Sequence, residues 1–215
     1  MPPISKFIKI NANQPEADLI TTIAKELAKG KVGIFPTHCL YGLGTNAFDQ
    51  RSIERIFTIK KRPFDKPLLV LISHVEQLDD LTVNIPPIAH ELMRFFWPGQ
   101  VTFLLKARSG LPKGIVGPDH KIGVRLAGSS IAAGLVTQAG VPIIGTSANL
   151  SGQPGCYRID QMAKATLTAV DVIIDAGTLK GGIGSSVVDA TRPIPCMLRE
   201  GLLSQTKLKK SLAKL

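Results

Sequence analysis

Short apolar runs alternate along the chain with longer segments whose apolar positions recur at helical spacing. Runs of the first kind suit buried strands and segments of the second suit amphipathic helices, so their alternation predicts an α/β layer fold. Leu19, Ile20, Ile23, Ala24 and Leu27 share one helical face, with Gly30 as the stop. Ile53, Ile56, Phe57 and Ile59 mark a second helix, entered near Asp49 or Ser52. A third covers residues 88–96 and stops before Pro98, and two more fall near 131–138 and 160–168. Strands are predicted at 32–35, 68–72, 101–105, 122–124, 142–145, 172–174 and 186–189. No helical segment separates 101–105 from 122–124, so the sheet is mixed rather than purely parallel. The expected fold is therefore a twisted open mixed β-sheet with helices packed around it.

Composition narrows the picture. With 44% hydrophobic and 20% charged residues, the chain is ordinary globular material. Its 215 residues suit a single domain over residues 1–203, followed by a short basic tail at 204–215. In that tail Lys207, Lys209, Lys210 and Lys214 interleave with Leu208, Leu212 and Leu215, a pattern open to a basic amphipathic helix or a packed terminal one. No apolar run approaches the roughly eighteen residues of a membrane span, and the N-terminal segment lacks the core and cleavage site of a signal peptide. Cys39, Cys156 and Cys196 are odd in number and far apart, which argues against a disulfide framework or a cysteine zinc site. The expectation is a cytoplasmic protein with no membrane partner. A net charge of +10 adds an electrostatic preference for anions: nucleotides, RNA or acidic lipid. Only 5% of residues are aromatic, which speaks against a base-stacking RNA surface but leaves weak direct RNA or tRNA binding open.

Four polar or glycine-rich loops fall at predicted strand ends, where open α/β sheets place their ligands: 36–44, 60–68, 146–152 and 177–186. In the second, Lys60, Lys61, Arg62 and Lys66 share a stretch stiffened by Pro63 and Pro67. Charge-assisted bonds to phosphate contribute about 1.5–3 kcal/mol each, so two or three such cations can hold a triphosphate. The same lysines also suit a solvated turn after a helix. Ser147, Asn149, Ser151 and Gly152 offer donors to phosphate or ribose, and are equally common turn formers. The 177–186 loop matches neither a P-loop nor a dinucleotide fingerprint. His38, His74, His90 and His120 have no metal-ligand spacing, and no resident metal site is expected.

In order, the loops resemble the YrdC-like family, and within it the stand-alone threonylcarbamoyl-AMP synthases. The matching residues are Pro36-Thr37 with Tyr41-Gly42-Leu43-Gly44, Lys60-x-Arg62-Pro63-x-x-Lys66-Pro67-Leu68, and Trp97-Pro98-Gly99-x-x-Thr102. Val124-Arg125, Ser147-Ala148-Asn149-x-Ser151-Gly152, Ser185-Ser186-Val187-Val188-Asp189 and Arg199-Glu200-Gly201 complete the set. The resemblance implies a basic concave cleft and a reaction of L-threonine, bicarbonate and ATP with Mg2+. The implied products are threonylcarbamoyl-AMP, for tRNA threonylcarbamoyl-transfer enzymes downstream, and pyrophosphate. It implies ATP contacts from Lys60, Arg62, Lys66, Ser147, Asn149 and Arg199, with Lys60 and Arg62 catalytic, and threonine contacts from Thr37, Arg125 and Ser185. Cys39 stands where many relatives carry Thr and Leu71 where some carry His, both positions implied to line the threonine site. The alternatives are a YrdC-like RNA-binding protein, or a paralogue acting on another carbamoyl or acyl substrate.

Overall fold

A computed structural model of the chain describes residues 6–214. The elements run β1 (Lys6–Lys9), α1 (Ala17–Ala28), β2 (Gly33–Pro36), β3 (Tyr41–Gly44), α2 (Gln50–Lys60), β4 (Val70–Ile72), α3 (Leu78–Leu81), α4 (Pro87–Phe96), β5 (Val101–Lys106) and β6 (Lys121–Leu126). They continue with α5 (Ser130–Ala139), β7 (Ile143–Ile144), β8 (Thr146–Ser147), α6 (Lys164–Ala169), β9 (Val172–Asp175), β10 (Ser186–Asp189), β11 (Cys196–Arg199) and α7 (Gln205–Leu212).

Local chemistry sets the helix ends. The Asp49 carboxylate accepts from the amides of Arg51 (2.9 Å) and Ser52 (3.2 Å), capping α2. Lys61, at φ 50°, turns the chain out of that helix ahead of Pro63. Ser129 caps α5 through the Ala132 amide, and Gly140 in the left-handed region ends it. The helix expected at 160–168 is shorter and divided, a 3-10 turn at Ile159–Gln161 preceding α6. In the tail, Ser204 caps α7 and Leu208, 2% exposed, anchors it, while its lysines face solvent. Leu215, and residues 1–5 of the segment considered for a signal peptide, lie outside the described residues.

The strands form two mixed sheets. The first has the order β1-β9-β2-β3-β8 and the second β11-β10-β5-β6-β4-β7. They meet along residues 142–147. Ile143 and Ile144 pair antiparallel with Leu71 and Val70 in the second sheet, while Thr146 and Ser147 pair with Leu43 and Gly42 in the first. The same segment is tied along its other side, Ile144 donating to the Thr45 carbonyl (2.8 Å) and Ala47 to that of Pro142 (3.0 Å). Between the two pairings lies Gly145, where a Cβ would stand 2.3 Å from Leu71 Cγ.

Two apolar clusters fill the layers. α1 and α5 pack with Phe35, Val172 and Ile174 on one side of the first sheet. Ile34, Tyr41, Leu43 and Ile173 face the other side, where α2, α4 and the second sheet's Phe103, Val124 and Ile72 join them. The second sheet thus has one face in the core. On its other face Leu71 belongs to the α1/α5 cluster, with Leu69 packed against it, but Thr102, Leu104, Gly123 and Arg125 floor an open cleft. Among the described residues, no helix is long and apolar enough to cross a membrane.

Gly145→Ala forces a methyl into fully buried Leu71 and should cost about 1–3 kcal/mol, read as a lower urea midpoint with unchanged slope.

Candidate functional site

The cleft has a volume of about 620 Å3. Its wall is assembled from chain ends that the sheets bring together: the 37–42 hairpin, Arg62 with residues 67–69, the β5 and β6 faces, residues 145–147, and the 182–187 and 199–202 segments.

The hairpin is the first departure from the sequence expectation, which had 36–44 as loop. β2 and β3 pair from Gly33↔Gly44 to Pro36↔Tyr41, and Thr37 closes the turn by donating its amide (3.0 Å) and hydroxyl (2.6 Å) to the Leu40 carbonyl. Tyr41 is buried. Its hydroxyl donates to the Gly177 carbonyl (2.7 Å) and accepts from the Ala176 amide (3.0 Å), and burial pushes its pKa up to about 12. That tie, with the Gly181 amide on the Cys39 carbonyl (3.0 Å), fastens the glycine-rich segment across the hairpin.

At the other end, Ser186 organises the Arg199-Glu200-Gly201 turn. Its hydroxyl accepts from the amides of Gly201 and Leu203 (both 2.9 Å) and donates to the Leu203 carbonyl (2.7 Å). A side chain at residue 201 would meet the Gly184 carbonyl at 2.3 Å, so only glycine lets the turn sit this close. Arg199 then reaches the Ser185 carbonyl (2.7 Å), and the Ser185 hydroxyl bonds that of Thr102 (2.9 Å) on the floor.

Six of the nine predicted site residues stand on the wall: Thr37, Arg62, Arg125, Ser147, Ser185 and Arg199. The other three lie behind it or outside it. Lys66 is exposed and offers its carbonyl to Arg62 Nε (2.7 Å). Asn149 donates its amide to the carbonyls of Leu150 (2.8 Å) and Gln153 (2.6 Å), leaving its buried Oδ1 unpartnered. Lys60 is 2% exposed, and its ammonium is bound to the carbonyls of Ser147 and Asn149. Leu71, implied to line the threonine site, is instead sealed beneath Gly145. Leu69, on the same face, reaches the wall. Thr102 and Glu200 also line the cleft, without a role assigned from sequence. A polar Thr inside the apolar run 101–105 was the available signal for the former.

Three guanidiniums dominate the electrostatics. Burial lowers the pKa of each; Arg199 further lowers those of Arg62 and Arg125, and Arg125 falls to about 10. Arg62 spends donors on its own loop, at the carbonyls of Lys66 and Pro67, whereas Arg125 Nε is buried without a partner. Among the described residues, Glu200 is the sole carboxylate on the wall, and none of these arginines forms a salt bridge. Like charges held together, partly desolvated and unneutralised, make an anion receptor.

A family model, Sua5_yciO_yrdC, described as "Telomere recombination", matches residues 25–201. The chain belongs to the Sua5/YciO/YrdC family. It is 37% identical over 184 residues to the threonylcarbamoyl-AMP synthase of Pyrococcus abyssi, covering 86% of this chain and 54% of that protein. The chain thus spans about half that relative's length. A putative threonylcarbamoyl-AMP synthase of Methanocaldococcus jannaschii is 31% identical, over 95% of this chain and 97% of its own. Among solved structures, P. abyssi Sua5 complexed with L-threonine superposes with a TM-score of 0.91 at 34% identity, covering 98% of this chain and 62% of that one.

A cation whose pKa is lowered on folding destabilises the folded protein wherever it is charged, and a bound anion relieves that effect. Pyrophosphate at about a hundredfold over its Kd should therefore stabilise the protein by ~2.7 kcal/mol, a rise of about 5–10 °C in Tm. Sodium chloride at equal ionic strength should give little of that rise, and Arg62→Ala or Arg199→Ala should shrink it.

Proposed function

We propose that this protein is a threonylcarbamoyl-AMP synthase, condensing L-threonine, bicarbonate and ATP into threonylcarbamoyl-AMP, pyrophosphate and water. The observation that carries the reading is the convergence of Arg62, Arg125 and Arg199 on one cleft, in a chain of the Sua5/YciO/YrdC family. A cleft whose wall holds three arginines and a single carboxylate suits substrates that bring a carboxylate and a triphosphate.

In this reading Arg62 and Arg199 neutralise the phosphates. The carbamate oxygen of N-carboxythreonine attacks the α-phosphorus and pyrophosphate leaves. Their charge stabilises the departing anion, and Ser147 supplies a hydroxyl beside them. Arg125, with an unpartnered Nε on the floor, pairs with the threonine carboxylate beside the Thr102–Ser185 hydroxyl pair, and Thr37 lines the same cleft. Cys39, also on the wall, abuts the amino-acid side of the cleft. Lys60, Lys66 and Asn149 belong to the ATP side through the loops they hold.

Mg2+ enters this reading on the triphosphate rather than as a resident ion. Among the described residues no group of three His, Cys, Asp or Glu is arranged to hold a metal, and Glu200 alone does not make a magnesium site. The product would pass to tRNA threonylcarbamoyl-transfer enzymes. The lysines exposed on α7 support weak direct contact with tRNA, and three free thiols suit a reducing cytoplasm.

The test is pyrophosphate release from ATP and Mg2+ with bicarbonate and each amino acid in turn. Release that requires both L-threonine and bicarbonate is expected. Release with a different amino acid would shift the reading to another acceptor, and release with none would overturn it. Arg62→Ala should cost about 1.5–3 kcal/mol, a ten- to hundredfold loss in kcat/KM for ATP.

A further inference from the structure

The end of α2 and the 147–151 loop grip each other through contacts that no substrate assignment uses. Lys60 Nζ donates to the Ser147 carbonyl and to that of Asn149 (2.7 Å), and the Lys60 carbonyl accepts from the Ser151 amide (2.8 Å). Three alternate residues of the loop are thereby fixed from one point. Two carbonyls aimed at the same spot repel each other, and a cation between them turns that repulsion into attraction. The cation itself is unfavourable here, being buried beside Arg62. Its site is behind the cleft, whereas Ser147, the residue it holds by the carbonyl, is on the wall.

We propose that Lys60 is a positioning residue: its ammonium sets the shape of the Ser147–Ser151 loop from behind, and the loop in turn sets the ATP side of the cleft. The second half of this inference rests on the ATP reading above, and the first does not. It reassigns the lysine of the Lys-x-Arg pair. Arg62 faces the ligand, and Lys60 faces the protein.

Burial and the neighbouring Arg62 bring the Lys60 pKa down to about 8. Cys156 opposes this only in part. The Lys60 ammonium charge is present at pH 7 and largely lost by pH 9. A neutral amine still donates to both carbonyls, but without the charge-assisted strength. The loop should therefore loosen as pH rises through 8 although the fold persists.

Hydrogen exchange on the ligand-free protein, followed by mass spectrometry and corrected for intrinsic rates, tests the first half. In Lys60→Met at pH 7, amides of residues 147–152 should exchange about tenfold faster, with those of β5 and β6 unchanged. In the wild type the same loop should speed up between pH 7 and 9, and Lys60→Met should show no such step. Calorimetric titration with ATP tests the second half: Kd should rise about tenfold in Lys60→Met at pH 7, and the wild type should approach the variant at pH 9. Unchanged loop exchange with weakened ATP binding would overturn the proposal in favour of a direct phosphate contact. A loosened loop with unchanged ATP Kd would reduce Lys60 to a structural residue and overturn it equally. If the wild type binds no ATP, the ATP reading fails while the exchange result stands by itself. Should Lys60→Met fail to fold, Lys60→Gln, which keeps donors but not charge, takes its place. Wild-type exchange in that variant at both pH values would overturn the proposal.

Discussion

Everything in the cleft depends on six residues, 142–147, that serve two sheets at once. Ile143 and Ile144 close the edge of the second sheet on β4, and Thr146 and Ser147 close the edge of the first on β3. The backbone makes that transfer across a single residue, Gly145, which approaches Leu71 more closely than any side chain allows. Because the crossing is so short, Ser147 must arrive beside the 37–42 hairpin. The floor built by β5 and β6 must then open next to it. Leu69 and Leu71 mark where the α1/α5 cluster stops covering that face, and the polar residues begin one strand further on.

The same loop region divides its cations by direction. Lys60 is the last residue of α2 and turns inward to the 147–151 carbonyls, while Arg62 braces the carbonyls of Lys66 and Pro67 and fronts the cleft. Lys66 remains in solvent. A run that reads in one dimension as a single basic patch is three different environments. The left-handed turn at Lys61 helps create them, because it ends α2 at Lys60 and sends Arg62 into the Pro63 loop.

Legibility followed the range of the interactions involved. Helices α1, α2, α4 and α5 were readable because spacing, caps and stops are local: Gly30, Asp49 and Pro98 announce themselves, while the Ser129 cap and Gly140 stop of α5 were seen only in the structure. The strands 101–105 and 172–174 were readable as apolar runs, but the division into two sheets is a matter of long-range pairing that no local pattern encodes. β1 and β11 are edge strands with exposed, partly polar residues, so alternation is weak in both. β3 was hidden by Gly42 and Gly44, which look like loop residues and are strand residues pressed against the Phe35 ring. In the site, chemistry type was legible and depth was not. Arg62, Arg125 and Arg199 reach the wall, while Lys60 and Asn149, equally polar in sequence, are spent on backbone groups behind it.

The three arginines also differ in what they leave free, and this separates the two ends of the proposed reaction. Arg62 and Arg199 each use guanidinium donors on neighbouring carbonyls, so their planes are fixed and their remaining donors point a defined way. Pre-set donors of that kind suit a long, highly charged ligand that must be aligned for displacement at phosphorus. Arg125 is the deepest of the three, its Nε has no partner, and two hydroxyls lie on the floor beside it. A buried donor without an acceptor is costly until one is supplied, and in the proposed reaction the planar threonine carboxylate is the partner offered to this guanidinium. In the proposed reaction, depth and hydrogen-bond satisfaction, rather than charge alone, favour the amino acid on the floor and the nucleotide at the rim.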